Sequence, residues 1–216
     1  MKVKKITAGA VQTNSYVLYN ENRECIVVDS GDGIREILSY IDENLLRCDS
    51  VLLTHGHFDH ASGCAELQKR GAKVYMSEFD LPMLSSADNL AQAFGESFTS
   101  FTPDFLVRGG EVLTILGERI EVIATPGHTK GSVCYKWNDV LFTGDTLFKL
   151  SIGRTDFPGG SYADMKASLA KLFALSGDFA VLPGHGENTT LNYERKYNPY
   201  ARIYNKSRRY YSRAFG

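Results

Sequence analysis

Apolar and polar positions along the chain change period several times, and each change marks an element. Ser15-Tyr16-Val17-Leu18-Tyr19 alternates as a half-buried strand does, and Cys25-Ile26-Val27-Val28-Asp29 is an apolar run ending in the turn cluster Asp-Ser-Gly-Asp-Gly. Ile34, Ile37, Leu38 and Ile41 recur at helical spacing, which predicts an amphipathic helix over 33–44. A buried strand over 50–54, a helix over 61–70 stopped at Gly71, and a short strand over 73–76 follow. Residues 85–104, with Pro103, carry little periodicity and read as a long surface excursion. Strand patterns return at 105–108, 111–116, 119–124, 132–137 and 139–143, with Asn138-Asp139 suggesting a hairpin between the last two. A second amphipathic helix over 161–175 puts Met165, Leu169, Leu172 and Phe173 on one side, and 179–182 is a last strand. β-rich stretches broken by helices, in two halves, predict an α+β fold: two sheets packed together with helices outside. With no short repeat and no low-complexity linker, one domain over 1–216 is the simplest organisation.

Composition narrows the function classes. The 216 residues are 43% apolar and 23% charged, which is ordinary for a globular chain. A chain of this length buries about 70% of its unfolded surface and needs no disulfides. Cys25, Cys48, Cys64 and Cys134 form no CxxC pair and sit in or beside apolar runs, so they read as inert core thiols. The net charge of -1 leaves no global basic field for nucleic acid or anionic lipid. The first residues lack a continuous apolar stretch, and no run reaches membrane-spanning length, so a cytoplasmic setting without membrane contact is expected.

From about residue 192 the chain is basic and tyrosine-rich, with Arg195, Lys196, Arg202, Lys206, Arg208, Arg209 and Arg213 among Tyr193, Tyr197, Tyr200, Tyr204, Tyr210 and Tyr211. Such a mixture can grip single-stranded nucleic acid. The plainer expectation is a terminal helix or arm that packs its tyrosines on the domain, with no nucleic-acid partner.

The chemistry concentrates in five histidines. Three stand in Thr54-His55-Gly56-His57-Phe58-Asp59-His60; the others are His128 in Pro126-Gly127-His128 and His185 in Pro183-Gly184-His185. Each group follows an apolar run (SVLLT, EVIAT, FAVLP), so all five fall in loops at strand ends, where rigid elements aim side chains at one place. His55 and His57, one residue apart, can chelate one ion, while Asp59 and His60 can turn towards a second. Imidazole and carboxylate suit zinc, and also iron or manganese. A bridging acid is then needed, and Asp145, in Phe142-Thr143-Gly144-Asp145-Thr146 after another apolar strand, is the candidate.

These four motifs, spread over most of the chain, resemble the ligand set of the metallo-β-lactamase superfamily. The resemblance implies an αββα sandwich with two mixed β-sheets face to face. It puts His55, His57 and His128 on one metal, Asp59, His60 and His185 on another, and Asp145 between them. Asp29 matches an aspartate that supports the site by orienting a ligand imidazole, although a plain turn former would look the same. Two close cations lower the pKa of a shared water towards ~7, giving a hydroxide nucleophile that Asp59 can orient.

Within the superfamily, Gly144-Asp145-Thr146-Leu147-Phe148 and Ser151-Ile152-Gly153-Arg154-Thr155-Asp156-Phe157-Pro158 look like the glyoxalase II group in its short bacterial form. The implied activity is metal-dependent hydrolysis of small-molecule thioesters such as S-lactoylglutathione, with two zinc ions. Arg154 would face the anionic thiol carrier, or is simply a solvated loop arginine. Only about 30 residues follow His185, too few for the helical domain with which longer glyoxalase II enzymes bind glutathione. Persulfide dioxygenases, which use one iron, share much of the pattern and form the alternative. A nuclease, a non-catalytic binding module and a β-lactamase fit the sequence less well.

Overall fold

The computed structural model describes residues 1–201. The first half of the chain builds a six-stranded sheet in the order β1-β2-β3-β4-β5-β6: β1 (Lys2–Ala8), β2 (Thr13–Tyr19), β3 (Glu24–Val28), β4 (Arg47–Leu52), β5 (Lys73–Ser77) and β6 (Phe105–Val107). It is antiparallel from β1 to β3 and parallel from β3 to β6. The second half adds β7 (Val112–Ile115), β8 (Glu118–Ala124), β9 (Val133–Trp137) and β10 (Val140–Gly144). A small hairpin of β11 (Leu147–Phe148) and β12 (Ser151–Ile152) precedes β13 (Ala180–Pro183) and β14 (Thr189–Thr190). The second sheet runs β14-β13-β10-β9-β8-β7 and is antiparallel except for the β10–β13 pair.

The apolar runs are nearly continuous because these strands are buried on both faces. Side chains alternate across each strand. Tyr16, Leu18, Ile26, Val28 and Leu52 of the first sheet meet Tyr135, Phe142 and Leu182 of the second in a central layer. Val17, Val27, Val51 and Leu53 face outward, under α1 (Ile34–Glu43) and α3 (Cys64–Lys69). Cys134, Leu141 and Val181 face the other way, under Met165, Leu169, Leu172 and Phe173 of α4 (Tyr162–Phe173). The result is the expected four-layer αββα sandwich. All four cysteines are buried free thiols.

Three local expectations need correction. The helix expected over 61–70 is two pieces, α2 (Phe58–Ala61) and α3, with the break at Ser62 and Gly63. A Cβ on Gly63 would lie 2.4 Å from Ser30 Oγ, so the chain breaks where it crosses the turn after β3. β1 was not expected; it is an edge strand whose exposed Lys2 and Lys4 interrupt the apolar pattern and guard the edge. The two-residue strands β11, β12 and β14 are too short for a periodic signal.

The basic tail begins as α5 (Leu191–Tyr197). Its anchors are Leu191 and Glu194, both fully buried, whereas Tyr193, Tyr197 and Tyr200 are exposed. The expected packing of tyrosines on the domain is therefore not found at these three. Arg202, Tyr204, Lys206, Arg208, Arg209, Tyr210, Tyr211 and Arg213 lie outside the described residues.

Candidate metal centre

Five strands, β3, β4, β8, β10 and β13, point their C-terminal ends at the same edge of the sandwich, and each is followed by a residue of the site. Asp29 follows β3, the 54–60 segment follows β4, and His128 lies in the loop after β8. Asp145 and His185 come directly after β10 and β13. The last of these ends is tied to the first sheet: Tyr16 donates from its hydroxyl to the Pro183 carbonyl at 2.8 Å, and Asn14 Nδ2 donates to the same carbonyl at 2.9 Å.

Three groupings of ligand atoms result, each with all members within 4.8 Å of one another: His55, His57 and His128; His55, His60 and Asp145; and Asp59, His60 and His185. All seven residues named from the sequence thus meet at one place. His57 Nδ1 lies 2.9 Å from His128 Nε2. Asp145 reaches His60 Nε2 through Oδ1, and His128 Nε2 and His185 Nε2 through Oδ2, each at 3.5 Å, which places it between the groupings.

The imidazoles are oriented from outside. Asp29, with a left-handed φ of 58°, accepts from the Thr54 N–H at 2.7 Å and from the Thr54 hydroxyl at 2.8 Å. That hydroxyl has only one proton to give, so at 3.1 Å it accepts from His55 Nδ1, leaving the lone pair of His55 on Nε2. The same Asp29 carboxylate accepts from His60 Nδ1 at 2.9 Å, and the Arg154 backbone carbonyl accepts from His128 Nδ1 at 2.8 Å. Three rings are thereby set with Nε2 facing inward. Of the two readings of Asp29, the orienting one matches this geometry.

The inward atoms are left wanting. His55 Nε2, His60 Nε2 and Asp145 Oδ1 are buried and have no hydrogen-bond partner, while His57 turns Nδ1 towards the cluster. Buried polar atoms in folded chains are otherwise paired, so a cluster of orphans on one wall fits a bound cation. Charge argues the same way. Burial, with the neighbouring imidazoles, pushes His55 well below the ordinary histidine range and His57 down to about 3. Burial also opposes charge on His60, but the Asp59, Asp29 and Asp145 carboxylates outweigh it and hold that ring well above its usual value. Burial opposes ionisation of Asp59 as well, yet His60 and His185 hold it well below the carboxylate range. The carboxylates thus draw positive charge into a buried site, and cations among them would supply it. Nitrogen and carboxylate donors at these positions fit divalent first-row ions without choosing one.

Two further residues carried no legible signal in the sequence. Thr13 donates its hydroxyl to Asp59 Oδ2 at 2.7 Å. Asp80, buried, accepts from the Gly56 N–H at 3.1 Å, the Thr129 hydroxyl at 2.7 Å and the Gly131 N–H at 2.7 Å. It therefore bonds the histidine loop after β4 to the loop that carries His128. Its partners are 24 to 51 residues away, and no local pattern betrays them.

A cleft of about 250 Å³ opens over the cluster, lined by His57, Asp59, His128, Asp145, His185 and Arg154 and by Val11, Phe58, Leu90, Phe94, Phe148, Ile152 and Phe157. Arg154 stands in its wall with its Nε and Nη2 already on the Asp156 carboxylate, at 2.9 and 2.8 Å, and its guanidinium 4.1 Å over the Phe157 ring.

The comparisons with known proteins agree with this geometry. Residues 8–185 match the family model described as metallo-beta-lactamase superfamily. The hydroxyacylglutathione hydrolase GloC of Haemophilus influenzae is 34% identical over 207 residues, covering 93% of this chain and 98% of that one. The crystal structure of the BLEG-1 B3 metallo-beta-lactamase superposes with a TM-score of 0.87 at 35% identity, covering 93% of this chain and 99% of that one. A di-iron-bound form of TTHA1623 gives a TM-score of 0.83 at 33% identity, covering 92% of this chain and 100% of that one. The chain belongs to the metallo-beta-lactamase superfamily and is a metal-dependent hydrolase of that fold.

Proposed function

We propose that the protein hydrolyses acyl thioesters of small-molecule thiols, as the glyoxalase II group does, with two metal ions held by the seven converging side chains. The observation that carries this reading is the complete ligand set, with its orphaned lone pairs, beneath a cleft of about 250 Å³. The similarity to GloC along nearly the whole of both chains supports it.

His55, His57 and His128 would hold one ion, Asp59, His60 and His185 the other, with Asp145 shared. When bound, the ions would supply Lewis acidity and a water acidified towards ~7. The remaining work falls to the chain itself. Asp29, Thr54 and the Arg154 carbonyl keep protons on the outer nitrogens of His60, His55 and His128, so the inner nitrogens stay free to ligate. Thr13 fixes the Asp59 carboxylate, which is placed to take a proton from the attacking water and pass it to the leaving thiolate. The apolar side chains over the cleft exclude bulk water from the carbonyl. Arg154 would meet a carboxylate of the thiol carrier only by exchanging it for Asp156.

The test is thiol release from S-lactoylglutathione and from simpler acyl thioesters by protein of measured metal content. Release that disappears with chelation and returns with metal supports the proposal. Oxygen uptake with glutathione persulfide by a protein carrying one iron would instead support a dioxygenase. A second reading, β-lactam hydrolysis, draws on the likeness to BLEG-1. Opening of a β-lactam ring faster than any thioester by the same preparation would favour it.

A further inference from the structure

Beyond the metal ligands and Arg154, the cleft is walled by apolar side chains. The rings of Phe58 and Phe94 are 5.4 Å apart, and Leu90 packs with Phe58 in a cluster that Phe157 also touches. Phe157 stands edge-on to His57, with ring centroids 5.7 Å apart, so this apolar wall begins at the metal ligands themselves. Phe58 and Leu90 are buried, but Phe94 keeps 48% of its surface exposed at the lip. Leu90 closes the short helical turn Ala87–Asn89 with a left-handed φ of 67°. Among the described residues, Arg154 is the one lysine or arginine lining the cleft, and Asp156 already occupies its fork.

Resting on the thioesterase reading, we propose that the preferred substrates carry an apolar acyl chain of several carbons, seated against Phe58, Leu90, Phe94 and Phe157. The polar thiol carrier then extends outward past Arg154. A volume of about 250 Å³ accommodates such a chain. A hydroxyl farther along the acyl chain would face phenyl and aliphatic carbon and forfeit its hydrogen bonds to water, which disfavours chains that are polar beyond the carbon next to the carbonyl. A longer alkyl chain gains with each carbon it buries.

The experiment compares acetyl, butyryl and hexanoyl thioesters of glutathione, each hydrolysed by the protein carrying its metal. kcat/KM is expected to rise about fourfold per methylene until the cleft is filled. Phe94→Ala should flatten that rise, whereas Leu106→Ala, on the exposed face of β6 away from the cleft, should leave the hexanoyl-to-acetyl ratio unchanged. Binding of uncleavable thioethers gives an independent readout. S-hexylglutathione should bind more tightly than S-methylglutathione, with a negative heat-capacity change in calorimetry, and Phe94→Ala should narrow the gap. A flat or falling acyl series, or a rise that Phe94→Ala leaves intact, would overturn the proposal and leave the thioesterase reading standing. Failure to cleave any thioester would sink that reading, while the thioether series would still report whether the wall recognises alkyl chains.

Discussion

The two halves of the molecule supply the metal centre in different ways. The first half delivers His55, His57, Asp59 and His60 from one short segment, held by the turn after β4 and the single turn of α2. The second half delivers His128, Asp145 and His185 one at a time, from three separate strand ends. The contiguous set needs little beyond local backbone geometry to keep its members together. The scattered set depends on close packing: a Cβ on Gly184 would fall 2.3 Å from Asp145 Oδ1 and 2.7 Å from His60 Cε1, so the β13 end can approach only as glycine. Asp29 and Asp80 divide along the same line. Asp29 orients rings within the first half, and Asp80 bonds the first half to the second.

That contrast can be broken at its strongest point by removing one ligand from each half. His57→Ala and Asp145→Ala are each expected to lose metal and nearly all hydrolysis, measured by elemental analysis beside thiol release. If only the first-half variant lost metal, the second half would not contribute a ligand as described. A smaller effect is expected from Asp29→Asn, because asparagine tolerates the left-handed φ but weakens the acceptor shared by Thr54 and His60. Metal affinity should fall about 10- to 100-fold with the fold retained, as titration and circular dichroism would report. The smallest effect belongs to Asp80→Asn. One of three buried donors would lose its acceptor, at about 1–3 kcal/mol, and the midpoint of thermal unfolding should drop by roughly 2–10 °C. An unchanged midpoint would mean that the bridge between the halves does not stabilise the fold.

The same contrast explains what could be read in advance. The apolar content of Tyr16 to Leu18 and the helical spacing of Ile34 to Ile41 report burial, so the main strands and two of the helices were legible, although β2 is buried on both faces and not half-buried as its alternation suggested. The histidine loop was legible because its donors are neighbours in sequence. His128, Asp145 and His185 could be named by their place after apolar strands and by resemblance, but their meeting is a property of strand direction across two sheets, which no local pattern encodes. Asp80 and Thr13 were invisible for the same reason: each acts on a partner more than 20 residues away, and their own surroundings in sequence are unremarkable. The lysine-rich β1 was hidden because an edge strand's exposed face breaks the apolar rhythm. The tyrosines of α5 misled, since the buried contacts of that helix are made by Leu191 and by the carboxylate of Glu194, which accepts from the Leu150 N–H at 2.8 Å.

The most direct check on the metal centre is a calorimetric titration of metal-stripped protein with zinc, with the endpoint confirmed by elemental analysis. Seven side chains in three overlapping groupings predict saturation at two ions per chain. Saturation at one ion, or no binding, would contradict a centre in which Asp145 is shared between two cations.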